Sequence, residues 1–263
     1  MKIVFFGHSA WGVEVGSTRV LIDPYAVSDE ARAEIEAYAS EASLVLVSHG
    51  AFDHLGIAYD LLRRYDQLRL VTEPAVYRDA TVGAGFPASR LEVLAWNGVK
   101  ELDGVRVRAI EVRHVSAFEG TDGTYMTGMP LGFLVSGIDE PETKLLHLGD
   151  TSIHADLALF AQLYKPTVAL VSVGAAKGLF AEMTPSEGAQ AALWLGVDVA
   201  LPMHYEDDAA AATAFCAAVA HLPRRVRSWL PVPFSEFEVE YALRVDGAPD
   251  AEEVEAQWPH GVR

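Results

Sequence analysis

The sequence has a single cysteine, Cys216, in 263 residues, so no disulfide can close within the chain, and a reducing cytoplasm is the expected compartment. It also lacks any unbroken apolar run of about 18 residues or more, the length a membrane-spanning helix needs. Its opening residues, MKIVFFGHSAWGVEVG, carry one lysine and an apolar stretch that Gly7 and His8 interrupt too early for a secretory leader. Basic residues are scarce: 20 Lys and Arg against 37 Asp and Glu leave a formal charge of −17. A field of that sign repels phosphate backbones and anionic lipid, so neither nucleic acid nor a membrane is an expected partner. A small anionic ligand stays open, because a local cation can reverse the sign inside a cleft. No Pro/Ser-rich linker, composition shift or short repeat divides the chain. The expectation is one domain over residues 1–245, with a polar tail over 246–263.

What is present is a steady alternation of strand-like and helix-like stretches. KIVFFG, WGVEVG, RVLID, SLVLVS, LRLVT, RLEVLA and VRVRAIEVRH read as strands, with period-two alternation or short β-branched runs bounded by glycine or Asp-Pro. Gly16-Ser17-Thr18 reads as the bend of a hairpin. Helical patterns fall at 29–42 and 55–66, the second with Leu55, Tyr59, Leu62 and Tyr65 near one face. In the second half GFLVSG, KLLHLGD, TVALVSVG and DVALPMH are strands, and HADLALFAQLY and DDAAAATAFCAAVAHL are helices. Another helix opens at TPSEGAQAALWLG, with Thr184 as N-cap, Pro185 in the first turn and Glu187 completing a capping box.

Reactive side chains fall at the ends of these strands. SLVLVS runs into His49, RAIEVR into His114, KLLHLG into Asp150 and VALPM into His204. TVALVSVG leads instead into a glycine-containing loop with Lys177. Ligands of open α/β sheets gather at the carboxyl ends of strands, so the recurrence points to one rim of one sheet system. Each residue alone has a plain reading. Asp53 suits a helix cap, His114 a half-exposed strand position, Asp150 a turn, and His204 a core histidine. Taken in order, HxxxDH then H, GD and MHY, the set outweighs those separate readings.

These residues sit in GHSA (7–10), LIDP (21–24), SHGAFDHLG (48–56), RHVS (113–116), GMPLGFLV (128–135), LLHLGDT (145–151), LVSVG (170–174), MTPSEGAQAALWL (183–195) and PMHY (202–205). In that order the chain resembles the metallo-β-lactamase-fold hydrolases, and among them the small UPF0173-type metal-dependent hydrolases related to L-ascorbate-6-phosphate lactonases. The resemblance implies an α+β fold, an αββα four-layer sandwich of two mixed sheets with helices outside and a metal site along one edge. It also implies the pattern HxHxDH at His49, Ala51, Asp53 and His54, with His114, Asp150 and His204 as the remaining ligands. In the two-metal version of that pattern one ion takes His49, position 51 and His114, the other takes Asp53, His54 and His204, and Asp150 bridges them.

Ala51 departs from the pattern, since a methyl group cannot donate to a metal. The expected centre is therefore mononuclear, one ion per chain at Asp53, His54, Asp150 and His204, with zinc first and Mn²⁺ or Fe²⁺ next. His49 and His114 would serve as proton carriers or substrate contacts, and Asp53 and Asp150 would also take part in the chemistry. Asp23, in LIDP, is expected to steady a histidine or to turn the chain. His147 is expected to pack within its sheet; His8 and Lys177 are candidate substrate contacts, and the loop 116–130 a candidate cover for the pocket. The implied activity is hydrolysis of a small molecule, a lactone or related cyclic ester or amide, by water that the metal activates. A phosphodiesterase acting on a small substrate, and a metal-poor binding protein with a decayed centre, are the alternatives. Relatives of this kind often associate, so a homo-oligomer is a further expectation.

Overall fold

The computed structural model describes residues 1–174, 182–205, 209–240 and 244–246. The first sheet has eight strands: β1 (Lys2–Gly7), β2 (Ala10–Val15), β3 (Thr18–Ile22), β4 (Leu44–Val47), β5 (Arg69–Thr72), β6 (Leu91–Val93), β15 (Glu236–Glu240) and β16 (Arg244–Asp246). Their spatial order is 16-15-1-2-3-4-5-6, antiparallel from β16 to β3 and parallel from β3 to β6. The second sheet has six: β7 (Val99–Leu102), β8 (Val105–Glu111), β11 (Leu131–Gly137), β12 (Lys144–His147), β13 (Val168–Ser172) and β14 (Val199–Met203). Here the order is 14-13-12-11-8-7, parallel only among β12, β13 and β14. β9 (Ser116–Glu119) and β10 (Tyr125–Gly128) form a separate hairpin.

Strand periodicity builds the layers. Side chains alternate across a strand, so a strand buried on both sides feeds two cores. Val20 and Ile22 of β3, and Leu44 and Leu46 of β4, join Val168 and Leu170 of β13 in the core between the sheets. Their neighbours Leu21, Val45 and Val47 face outward, where they meet α1 (Asp29–Ala39) and α3 (Ala58–Arg64) through Ile35, Leu61 and Leu62. On the other side Ala169 and Val171 pack with Leu157, Ala189 and Phe215 of α5 (Asp156–Tyr164), α6 (Pro185–Leu195) and α7 (Ala209–Ala220). Three cores separate four layers, which is the expected αββα sandwich.

Helix starts follow their sequence signals. Ser28 Oγ accepts from Ala31 N at 3.1 Å, with Asp29 and Glu30 in the first turn of α1. The box at α6 forms as expected: Thr184 Oγ1 accepts from Glu187 N, and Glu187 Oε2 accepts from Thr184 N at 2.9 Å.

Two expectations need correction. The helix read over 55–66 is two pieces, α2 (Phe52–Leu55) and α3, because Gly56 turns the chain at φ 48°. A side chain there would place its Cβ 2.2 Å from the carbonyl oxygen of Pro24, which instead accepts from Ile57 N at 2.9 Å. The stretch 116–130, read as a loop, contains the β9–β10 hairpin. Two buried carboxylates hold it. Glu73, at the start of α4 (Pro74–Arg78), accepts from Ser116 Oγ at 3.0 Å and Met129 N at 3.3 Å; Asp79 accepts from Thr121 N and Oγ1, both at 2.8 Å. Of the tail read over 246–263 only Asp246 is described, at the end of β16; the rest of it, and Lys177, lie outside the described residues.

Candidate metal centre

The parallel halves of both sheets end on the same edge, and there the reactive side chains meet. Asp23 follows β3, Ser48 and His49 follow β4, Asp150 follows β12, and His204 follows β14. Asp53 and His54 ride on the single turn of α2, and His8 on the tight turn between β1 and β2. Three of these residues, His8, Asp23 and His204, hold left-handed backbone conformations at φ 52°, 45° and 58°. Such positions cost a non-glycine residue on the order of 1 kcal/mol or more, and they cluster where a side chain must be aimed.

Asp150 stands at the middle. Its Oδ2 lies 2.9 Å from His54 Nε2, 3.3 Å from His204 Nε2, and 3.9 Å from both His49 Nε2 and His114 Nε2. Asp53 Oδ2 lies 3.3 Å from His8 Nε2 and 3.6 Å from His204 Nε2. Ser172 Oγ, at the end of β13, sits 3.1 Å from Asp150 Oδ1 and donates to Gly149 O at 2.7 Å, fixing the carboxylate.

Behind this layer lies a fully buried one. His54 Nδ1 donates to Asp23 Oδ2 at 2.8 Å, and Asp23 also accepts from Ser48 N and Ser48 Oγ, each at 2.7 Å. The carboxylate fixes the imidazole tautomer and turns Nε2 toward Asp150. His147 donates from Nε2 to Ser9 O at 3.1 Å and accepts from Gly149 N at 3.2 Å, tying the His8–Ser9 turn to the loop that carries Asp150. It is packed as the sequence suggests. Asp53 caps nothing: Ala51 occupies the N-cap of α2 with no side-chain hydrogen bond, so the capping reading of Asp53 is set aside.

Sequence reasoning missed Glu182. Its carboxylate falls in a group with Asp150 and His204, within 4.8 Å of their donor atoms, although it precedes α6 in a stretch with no motif of its own. Burial, then the Asp150 charge, push its pKa up. The anchoring roles of Glu73 and Asp79 were equally silent, since each reads as an ordinary helix or loop acid.

Charge at the centre is strongly perturbed. Burial disfavours an imidazolium at His204, but the Asp150 and Asp53 carboxylates outweigh it and hold the pKa at about 11. At His54 burial is likewise overcome by Asp150 and Asp23, giving about 10. His49 goes the other way, to about 3, through burial and the neighbouring His54 charge. Burial opposes ionisation of Asp53, yet hydrogen bonds from His204 and His8 hold its carboxyl far below the usual range. A site that recruits protons this strongly is one that favours a cation.

The donor set fits a divalent ion. Three groups can hold one: His8, Asp53, His54 and His204; His49, His114 and Asp150; and Asp150, Glu182 and His204. Nε2 of His49 is buried with no hydrogen-bond partner in the protein, an arrangement that is costly unless something else is bound. Imidazoles with carboxylates suit zinc, manganese and iron. Ala51, half-buried beside them, offers no donor.

Fold and site together define a metallo-hydrolase of the αββα class. Residues 2–204 match the model of the β-lactamase superfamily domain. A UPF0173 metal-dependent hydrolase of Methanopyrus kandleri is 33% identical over 205 residues, covering 78% of this chain and 84% of the relative. Among solved structures, Igni18, a metallo hydrolase from Ignicoccus hospitalis, aligns with a TM-score of 0.71 at 25% identity over 91% of this chain and 99% of its own. The metallo-β-lactamase fold protein YhfI of Bacillus subtilis shares the fold at a TM-score of 0.66 and 12% identity, over 90% of this chain and 99% of its own. This chain belongs to the β-lactamase superfamily and, within it, to the UPF0173 metal-dependent hydrolases. No helix among the described residues is long and apolar enough to cross a membrane.

Proposed function

We propose that the protein opens a small lactone or related cyclic ester or amide at a single divalent ion held by Asp53, His54, Asp150 and His204. The observation that carries this reading is the convergence on Asp150 Oδ2 of His54 Nε2 at 2.9 Å and His204 Nε2 at 3.3 Å, with Asp53 3.6 Å from His204. When bound, the ion supplies charge that makes water acidic near neutral pH and polarises a carbonyl. Asp150, held by Ser172, orients water by accepting its hydrogen. His49 and His114, both held neutral by burial, accept hydrogen bonds from water or substrate beside the ion. Ala51 supports one ion over two, and zinc is the first choice, ahead of manganese and iron. The lone cysteine supports a reducing, cytoplasmic setting.

The mouth supports an uncharged substrate. Phe52, next to Asp53, is 76% exposed, and Val115, next to His114, is 50% exposed. Edge-to-face rings lead from His8 to Tyr25 (5.2 Å between centroids) and on to Phe52 (5.8 Å); the groove of about 300 Å³ beyond these two rings is also lined by Asp29 and by Arg32, which is itself paired with Glu36 and Asp60. Arg113, beside His114, is committed to Glu111 and Asp156. An apolar rim of this kind suits the carbon skeleton of a lactone better than a phosphate.

Purified protein assayed with a panel of lactones and small phosphodiesters, with and without added Zn²⁺ or Mn²⁺, tests the proposal. Metal-dependent lactone opening is the expected result. Preference for phosphodiesters would replace the substrate class, and metal binding without turnover of either class would favour a binding protein.

A further inference from the structure

Resting on the metal-hydrolase reading above, we infer that His8 is a direct ligand of the ion, joining Asp53, His54, Asp150 and His204, so that the chain meets the metal with three imidazoles from three separate segments.

Ligand atoms bound to one ion at about 2.0–2.2 Å stand roughly 2.8–3.8 Å apart across angles of about 90–120°. His8 Nε2 and Asp53 Oδ2 are 3.3 Å apart, close to His204 Nε2 and Asp53 Oδ2 at 3.6 Å. The donor atoms of His8, Asp53, His54 and His204 all lie within 4.8 Å of one another. By the same measure His49 and His114, expected ligands of the other half-site, stand farther from their carboxylate at 3.9 Å. The ring centroids of His8 and His204 are 4.0 Å apart and those of His8 and His54 are 5.8 Å apart, as for imidazoles facing a shared point.

His8 is also held in place as a ligand must be. It sits in a left-handed conformation, φ 52°, directly after Gly7 at φ 113°. The turn is tied down from both neighbouring loops: His204 N donates to His8 O at 3.1 Å, and His147 Nε2 donates to Ser9 O at 3.1 Å. Those bonds link the aim of His8 to the strand end that carries His204. A mere substrate contact at the mouth would need neither the burial nor the backbone strain. Where position 51 withdraws an imidazole from one half-site, His8 adds one to the other, which accounts for a single tightly held ion.

Cobalt(II) and zinc titrations of the full chain test this. Wild type, His8→Asn, His8→Gly and Asp53→Ala are compared by calorimetry with Zn²⁺ and by visible absorption with Co²⁺, after circular dichroism confirms folding. Asparagine and glycine both accept left-handed backbone, so these variants spare the turn. The expected result is a 10- to 100-fold weaker Zn²⁺ affinity for both His8 variants, an altered Co²⁺ spectrum, and recovery of His8→Gly by millimolar imidazole. Unchanged affinity, or weakened affinity with an unchanged Co²⁺ spectrum, overturns the assignment of His8 as a ligand. If Asp53→Ala binds as wild type does, the underlying metal site itself is wrong, an outcome the His8 variants cannot produce.

Discussion

Asp23 offers the sharpest perturbation of the centre, because it is fully buried yet touches no surface at which water could replace it. Replacing it with alanine removes the acceptor for three donors: Ser48 N, Ser48 Oγ and His54 Nδ1. Ser48 Oγ has a fallback, His49 Nδ1 at 3.0 Å. His54 Nδ1 has two, Ser48 Oγ at 3.2 Å and Ser9 Oγ at 3.3 Å, so only Ser48 N is stranded in a dry interior and Asp23→Ala should lose roughly 1–3 kcal/mol. For a chain of this size each kcal/mol moves the melting temperature by about 2–4 °C, so a fall of at least about 2 °C is expected. Asp23→Asn is subtler. The amide can still accept from Ser48 N, but toward His54 it presents N–H, which favours the tautomer with the proton on Nε2. That proton faces Asp150, where a metal ligand needs a lone pair. Zn²⁺ affinity should fall 10- to 100-fold with little loss of fold. Urea unfolding of chelator-treated protein gives the first quantity and calorimetric Zn²⁺ titration the second. A loss under 1 kcal/mol for Asp23→Ala, together with wild-type affinity in Asp23→Asn, would refute the reasoning.

Three further outcomes follow from the same contacts. Gly56→Ala should destabilise by more than about 1 kcal/mol and weaken Zn²⁺ binding, since a Cβ at φ 48° meets Pro24 O and displaces the turn bearing Asp53 and His54; urea midpoints and metal titration read both effects. Phe133→Ala, in the core between the sheets, should cost about 3–5 kcal/mol by the same urea assay. Burial raises the Cys216 thiol to about 11 from an ordinary 9.0, so the folded protein keeps its proton where the unfolded chain gives it up. At pH 9 only about one folded molecule in a hundred carries the thiolate against about half of the unfolded, so alkylation by iodoacetamide should be slow until the protein is denatured, and this thiol's contribution to stability should fade as pH rises from 9 toward 11.

The architecture was legible where one residue type at one spacing has one physical meaning. Short apolar runs such as KIVFFG and SLVLVS marked strands, and Thr184-Pro185-Ser186-Glu187 marked a helix start by hydrogen bonds that form within four residues. His49, His114, Asp150 and His204 could be placed on one rim because strand ends deliver them there, with Asp53 and His54 on the short helix that follows β4. What stayed hidden depends on partners distant in sequence. Gly56 breaks a helix because Pro24 crosses it, and Glu73 and Asp79 clamp a hairpin some 40 to 56 positions further on. Glu182 reaches the site from just ahead of α6, and His8 reaches Asp53 only because β1 and α2 meet at one edge. No local pattern encodes such meetings.

Anomalous diffraction from crystals grown with zinc tests the central claim most directly. The account predicts one strong peak within bonding distance of Asp53, His54, Asp150 and His204. Two peaks of equal occupancy, or a single peak between His49 and His114 instead, would contradict it.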